Sequence, residues 1–147
     1  MSWDVDLVRL GESASRIPHH FDARVVGEFG AIKAQLSQLI EPLTWVDGTG
    51  RWEEGSCLFA CSLWRGRTMS THGDVDAISL WIRGHGEPMP CIARICRALD
   101  VVACDVGQMT LLDLEDPAPI GWTRFRNGNR PGLRAIRGGR SERSLKA

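Results

Sequence analysis

The stretch from Asp74 to Asp105 constrains the fold more than any other part of the sequence, because it joins two strand patterns to one helix pattern. Apolar residues alternate along Val75–Ile82, as in a strand with one buried face. The glycines and proline of Arg83–Pro88 end that strand. Pro88–Leu99 then repeats apolar residues at helical spacing, with proline where the first turn of a helix tolerates it. Val101–Cys104 predicts another strand, so the unit is either a parallel crossover or part of an antiparallel sheet.

Three further segments predict elements around this unit. Trp3–Leu10 alternates between apolar and polar residues and predicts a strand at or near a sheet edge. Phe29–Ile40 places apolar residues on one helical face and ends before Pro42, so it predicts an amphipathic helix. Ser56–Trp64 predicts a strand, and the polar turn after it favours antiparallel pairing with Val75–Ile82.

The remaining patterns are shorter. Leu43–Trp52 contains a turn signal and predicts a loop or an irregular strand. Val101–Asp105 and Met109–Leu114 flank a short turn and predict a hairpin, and Trp122–Asn127 predicts a short C-terminal helix. Together the patterns predict an α+β fold: a mostly antiparallel sheet of about five or six strands, with the two main helices on one face.

Length and composition predict one globular domain. The chain has 147 residues, of which 43% are hydrophobic and 24% charged. We assign the domain to residues 1–129 and a basic Arg-, Gly- and Ser-rich tail to residues 130–147. No apolar run approaches the roughly 20 residues that cross a membrane, and the first residues lack a signal-peptide pattern. We therefore expect no membrane association.

The cysteines predict a reducing compartment. There are five, an odd number without the spacing of a disulfide framework, which favours free thiols in the cytoplasm. In a strand, Cys57 and Cys61 would lie roughly 13 Å apart, too far for a disulfide or a shared metal ion. We interpret both as small residues of the core.

Charge is unevenly distributed along the chain. Arg130–Ala147 holds six basic residues and one acidic residue. Because the whole chain has 18 of each, the first 129 residues keep 12 basic and 17 acidic ones, so a body of −5 carries a tail of +5. The body is a poor candidate for nucleic-acid binding, and only the tail could bind nucleic acid, weakly.

The turn after the first strand of the central unit has two interpretations. Free backbone N–H groups at a helix start, beside Arg83 and His85, can hold a phosphate or a carboxylate. This makes Arg83, Gly84, His85 and Gly86 candidate ligand-binding residues. The simpler interpretation is a tight glycine turn, which we favour because a complete phosphate-loop pattern is missing.

The sequence contains no standard catalytic or metal-binding motif. Two groupings remain open. One is His85 with Asp105 and Asp113, as base and orienting acids. The other is a reactive thiol among Cys91, Cys96 and Cys104, of which we favour Cys91 because the helix start would lower its pKa. We expect no catalytic residues, no cofactor and no metal site. The adjacent pair at positions 19 and 20, both histidine, predicts a surface loop, because neighbouring side chains point apart in extended chain.

Six tryptophans and no tyrosine suggest a protein-binding surface, because Trp is enriched at interface hot spots. Trp45, Trp52 and Trp122 occur in loop-like or polar contexts, beside Asp47, Glu53, Glu54 and Arg124, and we expect them to be exposed. The candidate partner-binding residues are Trp45, Trp52, Glu53, Glu54, Asp113, Glu115, Asp116 and Trp122.

Three segments carry a family resemblance: Met1–Val5, Ile78–Pro88 and Leu111–Leu114. Over Met1–Phe125 the chain resembles a group of small bacterial α+β proteins that look like toxin-neutralising immunity proteins. The resemblance implies a cytoplasmic protein that blocks a cognate toxin by covering its active site, and it implies no catalytic residues. It does not extend to the basic tail.

The charge of the body agrees with that expectation. An acidic surface can match a basic toxin such as a nuclease and speed their association. The alternative is a small enzyme or small-ligand-binding protein that uses the Gly84–Gly86 turn.

Overall fold

The computed structural model describes residues 2–10, 23–54 and 57–128, with the backbone alone at Glu54. The helices are α1 (Phe29–Leu39), α2 (Met89–Leu99) and α3 (Ile120–Gly128). The strands are β1 (Trp3–Val8), β2 (Gly27–Glu28), β3 (Thr44–Val46), β4 (Thr49–Glu54), β5 (Cys57–Arg65), β6 (Thr68–Met69), β7 (Asp74–Val75), β8 (Ala77–Gly84), β9 (Val102–Asp105) and β10 (Thr110–Leu111). The predicted α+β class is confirmed.

Eight of these strands form one antiparallel sheet within the described residues. Its order is β10-β9-β1-β8-β5-β4-β3, with β6 paired to β5, while β2 and β7 form a separate pair. The predicted antiparallel pairing of β5 with β8 is confirmed, with Phe59 opposite Ile82. Because β8 and β9 are each antiparallel to β1, they run in the same direction on either side of it. The central unit is therefore a parallel crossover that encloses an antiparallel strand.

The apolar sides of α1 and α2 pack on one face of the sheet, as predicted. Leu36 of α1 and Ile92 of α2 belong to the same buried cluster as Phe59, Leu63 and Leu80 of the central strands. Burial of each such side chain contributes about 1.5–3 kcal/mol. Period two in the strands and period 3.6 in the helices thus bring the two apolar surfaces together.

The ends of the two main helices have local causes. The Glu28 carboxylate accepts a hydrogen bond from the Ala31 N–H at 3.2 Å, which caps the first turn of α1. Pro88 and Pro90 stand in the first turn of α2, where no intrahelical partner for their nitrogen is needed. At the other end, Asp100 adopts a left-handed conformation, with φ 55°, and α2 ends there.

One prediction about the sheet is wrong. β1 is not an edge or near-edge strand, because β8 and β9 pair on its two sides and β10 lies beyond β9. Of the two possibilities predicted for Leu43–Trp52, a loop or an irregular strand, the structure shows strands: β3 and β4 form a hairpin around the turn at Asp47 and Gly48. Together with the two-residue strands β6 and β10, this hairpin makes the sheet larger than the expected five or six strands.

Helix α3 docks on the sheet through a buried polar contact. The Trp3 indole N–H donates to the Asp105 carboxylate at 2.9 Å, and both side chains are buried. Gly121 lies against this pair so closely that a Cβ there would stand 1.7 Å from Asp105 Oδ2. Trp122 packs against Trp3 with ring centroids 5.5 Å apart. α3 begins two residues before the predicted helix.

Some predictions fall outside the described residues. They include the pair at positions 19 and 20 and the basic tail at 130–147. Among the described helices, none has the length and apolar character needed to cross a membrane.

Candidate partner-binding surface

The outward side of α2 is the centre of the candidate site. Ile92, Ile95 and Leu99 face the core, so the helical period turns Arg94 and Arg97 towards solvent. Pro90 is exposed on the same side, one turn before Arg94. A cleft borders this side of the helix in each direction.

The first cleft lies between α2 and the β4 strand. It has a volume of about 300 Å³ and is lined by Trp52, Glu41 and Glu87 together with Pro90 and Arg94. Trp52 is partly buried and meets the ring of Phe59 edge-on, with centroids 6.0 Å apart. An anchored indole beside two carboxylates is therefore accessible from outside.

The second cleft lies between α2 and the segment after β10. Its volume is about 470 Å³, and its walls include Leu114 and Glu115 as well as Pro90 and Arg94. Arg97 Nη2 and Glu115 Oε2 form an ion pair at 2.7 Å across it. Both side chains are largely exposed, so the pair contributes less than about 1 kcal/mol to stability.

The two clefts share Pro90 and Arg94 and so form one continuous surface. We call it the α2 surface and define it by its seven main residues. They are Glu41, Trp52, Glu87, Pro90, Arg94, Arg97 and Glu115.

The α2 surface includes two of the sequence-predicted partner-binding residues, Trp52 and Glu115. Asp113 and Asp116 flank Glu115 and accept hydrogen bonds from nearby backbone N–H groups. Asp113 Oδ1 accepts from the Glu115 N–H at 2.9 Å, and Asp116 Oδ1 accepts from the Ala118 N–H at 3.0 Å. These carboxylates shape the loop that presents Glu115.

The other predicted residues are not brought to this surface. Trp45 packs against α1, where its indole N–H donates to Ser37 Oγ at 2.8 Å. Glu53 lies beside Trp52 in β4, so the strand alternation turns it to the opposite sheet face. The side chain of Glu54 lies outside the described part. Trp122 is only 1% exposed, so the prediction that it is exposed is wrong.

The burial of Trp122 has a clear cause. Its ring lies between Trp3 and Phe125, stacked on the latter with centroids 5.5 Å apart. Of the nearby arginines, Arg124 is exposed, whereas the Arg126 guanidinium lies over the Trp122 ring, 5.9 Å from its centroid. A contact surface cannot include Trp122 unless α3 moves.

The Gly84–Gly86 turn is built for packing. Gly84 has φ 92°, a backbone conformation that is strained for a residue with a side chain. A Cβ at Gly86 would lie 2.6 Å from the Cβ of Cys57, so only glycine allows this approach. His85 is exposed beside it. Arg83 faces the side of the sheet opposite the helices, because it alternates with the buried Ile82.

The two catalytic groupings find little support in the geometry. Burial raises the pKa of the Cys91 thiol to about 11, against the lowering expected at a helix start. Asp105 accepts from the Trp3 indole and from the Gln108 N–H at 3.0 Å, so its carboxylate holds the fold together. Within the described residues, no hydrogen bond joins His85 to Asp105 or to Asp113.

Across 2–10, 23–54 and 57–128, no three His, Cys, Asp or Glu side chains are arranged to hold an ion. None of the five cysteines forms a disulfide bond, and all five are buried.

Sequence reasoning missed five residues of the α2 surface: Glu41, Glu87, Pro90, Arg94 and Arg97. One signal was present, because Arg94 stands off the apolar stripe of a predicted helix. The sequence could not predict that Arg94 lies near Glu41 and Trp52, because this proximity depends on the packing of α2 beside the β3–β4 hairpin.

Protein-family models, curated proteins and solved structures were each compared with the chain, and none matches it.

Proposed function

We propose that this chain is an immunity-type protein that neutralises a cognate bacterial toxin by covering the toxin's active site. The observation that carries the proposal is the α2 surface, where two clefts join across Pro90 and Arg94. Trp52 lies on one side of the helix and Glu115 on the other. The residues proposed to contact the toxin thus come from separate stretches of the sequence and lie on one face of the protein.

The shape of the α2 surface suits a protein partner. A stable complex buries about 800 Å² on each side, so a protein partner would cover both clefts and the helix side between them. Binding energy concentrates in a few residues, among which Trp is enriched. Trp52, held by Phe59, is the residue we expect to insert between side chains of the toxin.

The charge of the α2 surface suits a basic partner such as a nuclease. Glu41, Glu87 and Glu115 line the clefts, and Asp113 and Asp116 extend the negative charge beyond them. An acidic surface can occupy a site built for phosphates and speeds association with a basic protein. Arg94 and Arg97 also lie within the surface, where Arg94 donates to the Leu39 carbonyl oxygen at 2.7 Å and Arg97 pairs with Glu115.

The cytoplasm is the compartment where we propose this protein acts. Five cysteines without a disulfide bond are typical of a reducing compartment. A toxin that enters or is made in the same cell would meet the protein there.

A pull-down from the native host tests the proposal. Tagged full-length protein is used at low and at high salt, and captured proteins are identified by mass spectrometry. We expect one basic partner whose capture weakens at high salt, since the contact is electrostatic. Expressed alone, that partner should stop growth, and co-expression with this chain should restore it. A captured partner that is harmless when expressed alone would overturn the proposal.

Charge reversal then tests the placement of the contact. Glu87→Lys and Glu115→Lys together should slow association with the partner about tenfold at low salt. Glu53→Lys is the matched control, because it reverses the same charge on the opposite sheet face. If the control alone abolished binding, the α2 surface would be the wrong face.

A further inference from the structure

A third cleft lies on the sheet face that the helices leave open. Its volume is about 270 Å³, and it is lined by residues of β4, β5 and β8. Arg51 and Arg83 stand on its two sides, with Trp81 beside them. Leu58 and Ala60 form its floor. The cleft is separated from the α2 surface by the whole thickness of the sheet.

Strand register explains how the cleft forms. Arg51 is opposite Ala60, and Ala60 is opposite Trp81, so a small residue lies between two large ones. Arg83 is opposite Leu58, two residues along the same face. Strand spacings of ~4.8 Å and rises of ~3.3 Å per residue place the Cα atoms of the two arginines about 12 Å apart. Both guanidinium groups can therefore converge above Leu58 and Ala60.

Neither arginine is used by the fold. Both are exposed, and among the described side chains neither forms an ion pair or a hydrogen bond. A guanidinium group binds phosphate or carboxylate through two parallel N–H donors. The partly exposed indole of Trp81 offers a planar apolar surface on which a ring can stack.

Nearby acids limit the kind of anion that fits. Asp4, Asp6 and Glu53 lie on the same sheet face, around the arginine pair. A nucleic-acid strand would meet all three carboxylates, whereas a single phosphate between the arginines would lie beside Glu53 alone, which is opposite Leu58. The occupant is thus a small anion that carries a planar ring.

We propose that this cleft binds a nucleoside monophosphate, with the base on Trp81 and the phosphate between Arg51 and Arg83. The site is independent of the α2 surface and of any toxin.

Calorimetric titration of the full-length protein with AMP tests the proposal, with adenosine and inorganic phosphate as partial ligands. We expect AMP to bind with a Kd below about 1 mM and about tenfold more tightly than either partial ligand, since only AMP uses both halves of the site. In ¹⁵N-labelled protein, the indole signal lost in Trp81→Phe should be the one that AMP shifts most. Absence of saturable AMP binding, or equal affinity for AMP and adenosine, would overturn the proposal.

Substitutions locate the site. Arg51→Ala and Arg83→Ala should each weaken AMP binding about tenfold, without a change in the unfolding temperature, because both side chains are exposed. Arg65→Ala is the control, an exposed arginine at the far end of β5. An equal loss in the control would mean that overall charge, and no site, attracts the nucleotide. Tight binding of a short oligonucleotide with no binding of AMP would also refute the mononucleotide proposal.

Discussion

Replacement of Gly121 by alanine should destabilise this protein, although alanine is the better helix former. Alanine gains about 0.5–1 kcal/mol over glycine inside a helix. At this position, however, the new Cβ would stand 1.7 Å from Asp105 Oδ2 and 2.9 Å from the Trp3 indole nitrogen. Either the carboxylate or α3 must move.

The size of the loss follows from the contacts that would break. Asp105 accepts from the Trp3 indole at 2.9 Å and from the Gln108 N–H at 3.0 Å. A hydrogen bond to a charged group contributes about 1.5–3 kcal/mol, and overpacking costs about 1–3 kcal/mol. After subtraction of the helix gain, we expect a net loss of about 2–4 kcal/mol, or roughly 6–12 °C in Tm.

Urea denaturation and thermal unfolding measure this loss, and α3 supplies a matched control. A Cβ at Gly128 would meet nothing within 4 Å, so Gly128→Ala should change stability by less than about 0.5 kcal/mol. In an Asp105→Ala background the clash with the carboxylate is absent and only the 2.9 Å approach to the Trp3 indole nitrogen remains, so Gly121→Ala should then cost less. If Gly121→Ala were neutral or stabilising in the wild-type background, the close packing of α3 on Asp105 would be refuted.

Three other predictions concern the core, the turn and the thiols. Leu80→Ala in the core should lower the free energy of unfolding by about 2–5 kcal/mol. Leu111→Ala, at a side chain 49% exposed, should change it by less than about 0.5 kcal/mol. Equal losses of unfolding free energy in urea denaturation would contradict this placement of the core. Gly86→Ala should lower the urea midpoint without any ligand, because its Cβ would lie 2.6 Å from Cys57 Cβ; an unchanged midpoint would count against that contact. Burial raises the pKa of the Cys61 thiol from 9.0 to about 12, so the unfolded chain ionises first and stability falls as pH rises from 9.0 towards 12. The expected slope is at most about 1.4 kcal/mol per pH unit for each such thiol, and denaturation at several pH values should show a shallower slope in Cys61→Ala; identical slopes would refute the assignment.

Local periodicity made the main elements predictable. The alternation in β5 and β8 and the helical spacing in α1 and α2 are properties of short segments. Each pattern places the apolar residues of its segment on one face, whichever partner covers that face. The antiparallel pairing of β5 with β8 was predicted from the polar Arg65–Gly73 segment between them, which contains β6 and leads into β7. These predictions agree with the structure because the apolar residues that set the period also form the core.

The sequence did not distinguish the β3–β4 hairpin from a loop, because its glycines resemble those of a loop. A Cβ at Gly50 would lie 3.1 Å from Cys61 Sγ and 3.2 Å from atoms of Leu43 and Trp45. Gly50 is therefore a strand residue kept small so that its neighbours can pack. Sequence alone does not distinguish this use of glycine from a flexible turn.

The sequence by itself determined which segments are helices and strands, which of their sides are apolar, and where charge is concentrated. It did not determine which tryptophans and acids share a surface. Trp52 and Glu115 come together on the α2 surface because α2 packs between β4 and the segment after β10. Trp122 is buried because α3 packs against Trp3. Only the tertiary structure decides these outcomes, because each depends on contacts between segments far apart in the chain, which no local pattern encodes.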